Sequence, residues 1–342
     1  MKFEIFGESR SESVGVKIFG LEGAKIDTKA VQEFCNLRRP GVDELSSPRK
    51  ENDEIIFTFG IDENGIITGT VIAEIKNTDA EKETEKFVPR PGHADYPAYK
   101  KYGHIPAGGG KFSGRMTAPL CIAGGIALQI LSKKGITLDG HILTLHGVRD
   151  ESFDPINFKN EEIYKRDFPV LDISAGEKMK SEILSAKSAG DSVGGTIEVR
   201  IDGVPAGTGG NMFSSLDGKI AASVFCVPGI KGIDFGAGFS SAHLLGSENN
   251  DGYYIENGKV KVKTNFAGGI MGGMATGAPI IFSAAVKPTP SIKKEQDSVN
   301  LKTMQNEKLS VDGRNDPCIV KRALPGVISA AALAVLDALE DK

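Results

Sequence analysis

Two runs of residues are too apolar to lie at a surface, and they constrain what this chain can fold into more than anything else in it. Thr117 to Leu131 (TAPLCIAGGIALQIL) is almost wholly apolar, and Ala323 to Leu339 (ALPGVISAAALAVLDAL), which follows Arg322, repeats the pattern near the other end. A helix that is apolar all round has no solvated side, so each run reads as a buried helix. Thr117 is the expected N-cap of the first, with Gly135 near its C-terminal end. Something must cover both. Lys2 to Phe6 alternates as a half-buried strand does, Ser13 to Gly20 reads as a strand, and Thr196 to Gly203 returns in a similar order. Antiparallel sheets laid over apolar helices bury that combination. The expected fold class is therefore α+β: a sandwich with antiparallel sheets flanking a layer of apolar helices.

The order of elements recurs. Ser13-Val14-Gly15 leads into a strand and a turn, and Asp27 caps a helix running to Leu37; Ser192-Val193-Gly194 opens a similar series, with Asp217 before an apolar helix that ends at Pro228-Gly229. Thr68-Gly69 and Thr276-Gly277 each open a strand, and Arg115 and Arg322 each precede a buried helix. The offsets are roughly 180–210 residues, which reads as an internal duplication. The chain is expected to form a single domain of two pseudo-repeats, about 1–149 and 190–342, joined by a more polar connector, 150–189, with a short helix from Gly176 to Ala189. A ligand site between the halves is favoured over one within either.

Bulk properties exclude several classes. Net charge is −4, which gives no reason to expect nucleic acid or an anionic membrane as a partner, so any anion site must be a local gathering of cations. The N-terminus MKFEIFGESR has no apolar core of a signal peptide, and no run of about 18 apolar residues suggests a membrane span. Cys35, Cys121, Cys226 and Cys318 are widely spaced with no CxxC pair, so reduced thiols, no zinc and a cytoplasmic location are expected.

The stretch Arg90 to Arg115 is where chemistry is expected. It holds Arg90-Pro91-Gly92-His93-Ala94-Asp95-Tyr96 and then Gly108-Gly109-Gly110-Lys111-Phe112-Ser113-Gly114-Arg115. Such a segment is not expected to form a packed helix or a central strand. Consecutive glycines let backbone N–H groups approach a ligand, adjacent cations suggest an anion, and the loop ends at the start of a buried helix, a phosphate-binding arrangement; the competing reading is a solvated surface loop. Ser9, Arg10, Arg38, Arg39, Arg49, Arg90, His93, Lys111, Ser113, Arg115, Lys287, Thr289, Arg314 and Asp316 all sit in Gly/Pro-rich loops. Several arginines without a metal-ligand cluster suggest a substrate with more than one phosphate or carboxylate. His93 has the residue type for a proton donor near neutrality, or serves only to tie the loop. No GxSxG elbow, Walker loop or GxGxxG fingerprint is present.

These motifs resemble the chorismate synthase family along nearly the whole chain. The matching segments are FGES (Phe6–Ser9), LRRPG (Leu37–Gly41), RPGHADY (Arg90–Tyr96), KYG (Lys101–Gly103), GGGKFSGR with TAP (Gly108–Pro119), DSVGG (Asp191–Gly195), GVPAG (Gly203–Gly207), KGIDFGAGF (Lys231–Phe239), GSENND (Gly246–Asp251), AGGIMGG (Ala267–Gly273), KPTPSI (Lys287–Ile292) and GRNDPC (Gly313–Cys318). The resemblance implies a lyase of the shikimate pathway and aromatic amino acid biosynthesis. Its substrate would be 5-enolpyruvylshikimate 3-phosphate, which loses phosphate by anti 1,4-elimination to give chorismate. It implies dependence on reduced FMN without net redox change, and a homotetramer. No flavin-reductase domain fits in this length, so an external flavin reductase is implied, with NADPH involved only indirectly through it.

Carried over by position, the resemblance places substrate at Ser9, Arg38, Arg39, Arg49, Arg90 and Arg115. FMN would lie against Lys111, Phe112, Ser113, Pro228, Gly229, Gly272, Lys287, Pro288, Thr289, Pro290, Ser291 and Arg314. His93 matches the histidine that protonates the reduced flavin, and Asp316 the aspartate near flavin N5 that assists hydrogen removal. The chain departs from the pattern at three places. The family's Gly-Glu-Ser-His is Gly7-Glu8-Ser9-Arg10 here, and the missing histidine is the one that protonates the departing phosphate. Glu44 stands where many members have arginine, and Asn315 replaces a histidine. Arg10 therefore opens an alternative, a catalytically weakened or inactive relative that binds flavin or a phosphorylated metabolite.

Overall fold

The computed structural model describes every residue except 42, 48–50, 79–85, 158–160, 314 and 341–342. The chain opens with β1 (Lys2–Gly7), β2 (Ser13–Phe19), α1 (Thr28–Asn36), β3 (Ile55–Ile61) and β4 (Ile67–Lys76). The four strands form one antiparallel sheet in the order β1-β2-β4-β3. Next come α2 (Asp95–Tyr102), α3 (Thr117–Lys133), β5 (Thr137–Leu145), β6 (Val148–Arg149), α4 (Ile173–Ser188), β7 (Gly195–Asp202), α5 (Leu216–Phe225), β8 (Ile230–Phe235) and α6 (Gly246–Asn249). Three hairpin strand pairs and one long strand follow: β9 (Tyr253–Glu256) with β10 (Lys259–Val262), β11 (Ile270–Met271) with β12 (Met274–Ala275), β13 (Ile280–Val286), and β14 (Gln296–Asn300) with β15 (Gln305–Leu309). Helix α7 (Val320–Glu340) closes the chain. The second large sheet is antiparallel in the order β6-β5-β7-β13-β8. Strands β5 and β6 thus join the second sheet although they precede residue 150.

The fold is α+β, with apolar helices between two antiparallel sheets. Helix α3 packs on β2 and β4, α7 packs on β5, β7 and β13, and the two helices pack on each other. Their crossing is close. A Cβ at Gly124 of α3 would fall 2.1 Å from Ser329 Oγ of α7, so only glycine admits this approach. The stretches Gly114–Lys133 and Val320–Glu340 are long and apolar enough to cross a membrane, contrary to the expectation from the sequence. In this fold both are mostly buried core helices, because the two sheets supply the apolar cover.

Local signals account for several helix ends. Asp27 caps α1 by accepting from the Lys29 and Ala30 N–H groups. Asp172 caps α4 in the same way, so the helix starts at Ile173, three residues upstream of the expected start at Gly176. Ser215, not Asp217, caps α5. Thr117 is not a cap. A 3₁₀ turn, Gly114–Met116, precedes α3, Ser113 Oγ accepts the Arg115 N–H, and the Thr117 hydroxyl donates back to the Gly114 carbonyl.

The connector is held by charge. On β5 and β7, Ile142, Ile197, Val199 and Ile201 belong to the apolar core, while Asp139, His141, Glu198 and Arg200 alternate with apolar neighbours and are also buried. Asp139 stands opposite Arg200, and His141 opposite Glu198. The segment after β6 covers them. Asp139 accepts the Ile163 and Tyr164 N–H groups at 3.0 and 3.1 Å, Glu198 accepts that of Phe153 at 2.7 Å, and Asp150 accepts those of Leu171 and Asp172. His141 donates between Asp150 and Glu198, 2.9 Å from each.

Candidate functional site

The site is built on three glycines. Gly108, Gly109 and Gly110 have φ of 58°, 84° and 52°, a left-handed run that L side chains resist. They also admit close neighbours. A Cβ on Gly108 would fall 2.4 Å from Ser9 Oγ and 2.9 Å from Arg10 Nε; one on Gly109 would fall 3.0 Å from His93 Cε1. Successive residues of one loop therefore touch the β1–β2 turn and the RPGHADY segment. Ser9 adds two bonds, from Oγ to the Gly108 carbonyl at 3.0 Å and from its N–H to the Gly110 carbonyl at 3.2 Å.

The His93 segment folds as a hub around Asp95. The stretch was not expected to hold a helix, yet Asp95–Tyr102 forms one, with Asp95 in its first turn and Gly103 in the left-handed conformation ending it. Arg90 donates from Nε to Asp95 Oδ2 at 2.8 Å and from an Nη to Oδ1 at 2.9 Å, a side-on fork, and its backbone N–H adds a third bond at 3.0 Å. His93 Nδ1 lies 2.5 Å from Asp95 Oδ1. Burial opposes the charge on Asp95, but the hydrogen bonds from Arg90 and His93 outweigh it and hold the carboxyl below the usual carboxylate range.

The second half closes over this hub. The other Nη of Arg90 donates to Ser291 Oγ at 3.2 Å, Lys287 donates to the Gly92 carbonyl, and Pro290 packs at Gly92. Lys287 N–H donates to the Gly229 carbonyl at 2.9 Å, which joins the Pro228–Gly229 turn to the group. Burial, with the nearby charge of Lys231, lowers the Lys287 pKa from the ordinary lysine value. Among the described residues no carboxylate pairs with either lysine. Thr289 Oγ1 is buried without a hydrogen-bond partner beside them. A cavity of about 350 Å³ is lined by Gly7, Lys111 and Met116 on one side and Cys226 and Pro228 on the other.

Other expected residues gather elsewhere. Arg38 pairs with Asp53 at 2.7 Å, and Arg115 pairs with both Asp53 and Glu51; all four are buried. Asp316 accepts the Ser47 N–H at 2.8 Å and pairs with Arg322, which donates to the Arg38 carbonyl. Arg39 Nε donates to the Glu51 carbonyl at 3.2 Å. Arg38 and Arg115 are thus engaged by internal carboxylates. Phe112 is exposed beside Lys111, and Pro288 is exposed beside Lys287. Gly272 turns the β11–β12 hairpin, where Gly273 meets the N-terminal end of α5. Pro228 follows the other end of that helix, about 15 Å along for its length. Arg49 and Arg314 lie outside the described residues. Asp53 and Glu51 were not singled out from the sequence, and nothing local marks them; Arg322 was named only as preceding a buried helix and Lys231 only as opening a motif, neither with a role. Asp95 stood in a quoted motif, two residues after His93, without a role.

A chorismate synthase family model matches residues 1–339. The chorismate synthase of Lancefieldella parvula is 44% identical, over 99% of this chain and 94% of its own length. That of Thermococcus gammatolerans is 40% identical, over 99% of this chain and 96% of its own. A solved structure described as "Crystal Structure of Chorismate Synthase" superposes with a TM-score of 0.75 at 22% identity, covering 99% of this chain and 91% of that one.

Proposed function

This chain belongs to the chorismate synthase family, and we propose that it is a carbon–oxygen lyase converting 5-enolpyruvylshikimate 3-phosphate to chorismate and phosphate with reduced FMN. The observation that carries the reading is the meeting of both halves at one cationic site. The Gly108–Gly110 loop, the Ser9–Arg10 turn and the Arg90–His93–Asp95 hub come from the first half, and Lys287 to Ser291 from the second.

The residues fit the cofactor. Among the described residues, Lys287 and Lys231 supply positive charge without a carboxylate partner, and Thr289 Oγ1 is a buried polar atom without a hydrogen-bond partner. These groups would hold the flavin's phosphate end. Reduced FMN, when bound, supplies the transient electron that lets the C–O and C–H bonds break without net redox change. His93 holds a proton at the edge of the glycine loop. Arg10 lies along Gly108, where it would clamp the substrate's phosphate. A guanidinium has a pKa above about 12 and cannot serve as the acid for the leaving group, but fixed charge beside a departing phosphate dianion stabilises the charge that accumulates there. Asp316, held by Ser47 and Arg322, is the carboxylate assigned to hydrogen removal. The homotetramer, the cytoplasmic location and the external reductase belong to the same proposal.

Arg10 supports the second reading, a weakened or inactive relative. An anaerobic assay with reduced FMN and 5-enolpyruvylshikimate 3-phosphate separates the two. Slow but measurable chorismate formation by the wild type supports the enzyme. Formation only after Arg10→His supports the inactive relative.

A further inference from the structure

The carboxylate of Asp95 is nearly inaccessible, at 3% side-chain exposure, and it accepts four hydrogen bonds. Oδ2 takes the Arg90 backbone N–H and Nε; Oδ1 takes an Arg90 Nη and His93 Nδ1. A carboxylate so placed accepts only, so Nδ1 must carry the proton in the 2.5 Å contact. The other ring nitrogen, Nε2, is then the one turned to the Gly109 side, where a Cβ would stand 3.1 Å from it. The same Arg90 Nη lies 3.1 and 3.4 Å from the two ring nitrogens, so the guanidinium that Asp95 anchors also walls the imidazole. Arg90 in turn reaches Ser291, so the hub fixes one histidine against both halves of the chain.

We infer that Asp95 is a positioning residue for the reaction. It fixes the tautomer and direction of the His93 ring, so that Nε2 is the nitrogen through which the ring takes up and hands on a proton, and it fixes Arg90 beside it. This rests on the reading of His93 as the proton donor. The depressed pKa of Asp95 agrees, since the carboxylate stays ionised through the neutral range. Helix α2 begins at Asp95, so its amide dipoles favour the same charge. The other charged groups around the ring are Arg10 and Lys287, each reaching the same loops, and Asp297, Glu307 and Lys308 of the β14–β15 hairpin, which share a cavity with His93.

The test is Asp95→Asn in the full-length protein. A carboxylate that orders a catalytic histidine contributes on the order of 10²-fold or more to turnover. The expected result is that loss in kcat, with KM changed less than about threefold. The double variant His93→Ala/Asp95→Asn should be no slower than His93→Ala, since both act through one ring. Unchanged kcat, or losses that multiply in the double variant, overturns the inference. Nitrogen-15 NMR of the His93 ring decides the matter even if the wild type makes no chorismate. A neutral ring protonated at Nδ1 in wild type and mixed in Asp95→Asn keeps Asp95 as the positioning group while the assigned reaction fails; identical spectra overturn it. Should the Asn variant not fold, Asp95→Glu takes its place. A shifted His93 signal is expected, and an unshifted one overturns the inference.

Discussion

Two histidines in this chain are each bound to a carboxylate, and the difference between them separates chemistry from architecture. His141 is fully buried, and both ring nitrogens are engaged, by Asp150 and Glu198 at 2.9 Å each. Those carboxylates also receive backbone N–H groups of Phe153, Leu171 and Asp172, so the ring ties the connector to the second sheet. His93 keeps 15% side-chain exposure and gives one nitrogen to Asp95, while the other faces the glycine loop. A histidine with both nitrogens committed to protein carboxylates cannot donate to a ligand without breaking the fold. One with a single nitrogen committed is aimed. The arginines repeat the contrast. Arg115 is buried against Glu51 and Asp53, whereas Arg10 lies on the glycine loop beside Ser9.

Exchanging the two histidines for alanine should give opposite phenotypes, and this is the largest effect expected. His93→Ala should lower kcat by about 10²–10⁴-fold with little change in melting temperature. His141→Ala leaves two buried carboxylates without their cation and should cost about 3–5 kcal/mol of stability, while folded molecules keep near-normal turnover. Chemical denaturation and anaerobic kinetics on both variants decide it. Comparable stability losses in the two would break the contrast.

The arginine pair sharpens it. Arg115→Ala should destabilise by a similar 3–5 kcal/mol, through the uncompensated charges of Glu51 and Asp53. Arg10→Ala should leave the melting temperature nearly unchanged and slow turnover by on the order of 10²-fold. Arg10→His should raise turnover, since it restores an acid near the leaving phosphate. If Arg10→Ala matches an active wild type, Arg10 does not touch the phosphate.

A pH series distinguishes the histidines more finely. Burial alone would pull the His141 pKa down, but hydrogen bonds to Asp150 and Glu198 raise it above the ordinary histidine value. A group raised on folding stabilises fully below its unfolded pKa, about 6.5, and that contribution is lost as pH rises through the folded value. The gap in melting temperature between wild type and His141→Gln should therefore be widest below about pH 6.5 and narrow at alkaline pH. A gap that widens with pH contradicts the assignment.

The smallest effect concerns the cationic site itself. On the proposed function FMN and the phosphorylated substrate would share it, so FMN should bind more tightly with substrate or phosphate present, by about tenfold. Fluorescence titrations with and without substrate measure this, and equal affinities would remove the shared pocket.

Much of the fold was legible in the residues. Apolar runs gave α3 and α7, and the Asp27 cap gave α1, nearly to their ends; strand patterns gave β2 and β7, and the recurring Thr-Gly order gave β4 and β13. These signals are local, carried by residues within a turn or two of each other. The site was legible only as a set of loops rich in glycine, histidine and cations. Which arginine faces solvent and which faces a carboxylate was not, because Arg115 meets Asp53 across 62 residues and Arg38 looks no different from Arg39 in the chain.

From the residues alone came the helical layer, the sheets that cover it, the glycine-rich loop and the family resemblance. Tertiary structure alone decided that Asp95 unites Arg90 with His93, that Asp53 withdraws Arg38 and Arg115 into the interior, and that Gly272 stands a helix length from Pro228. The physical reason is that propensity and periodicity act between neighbours, whereas the partner of a charge is set by which distant segments packing brings within about 3 Å.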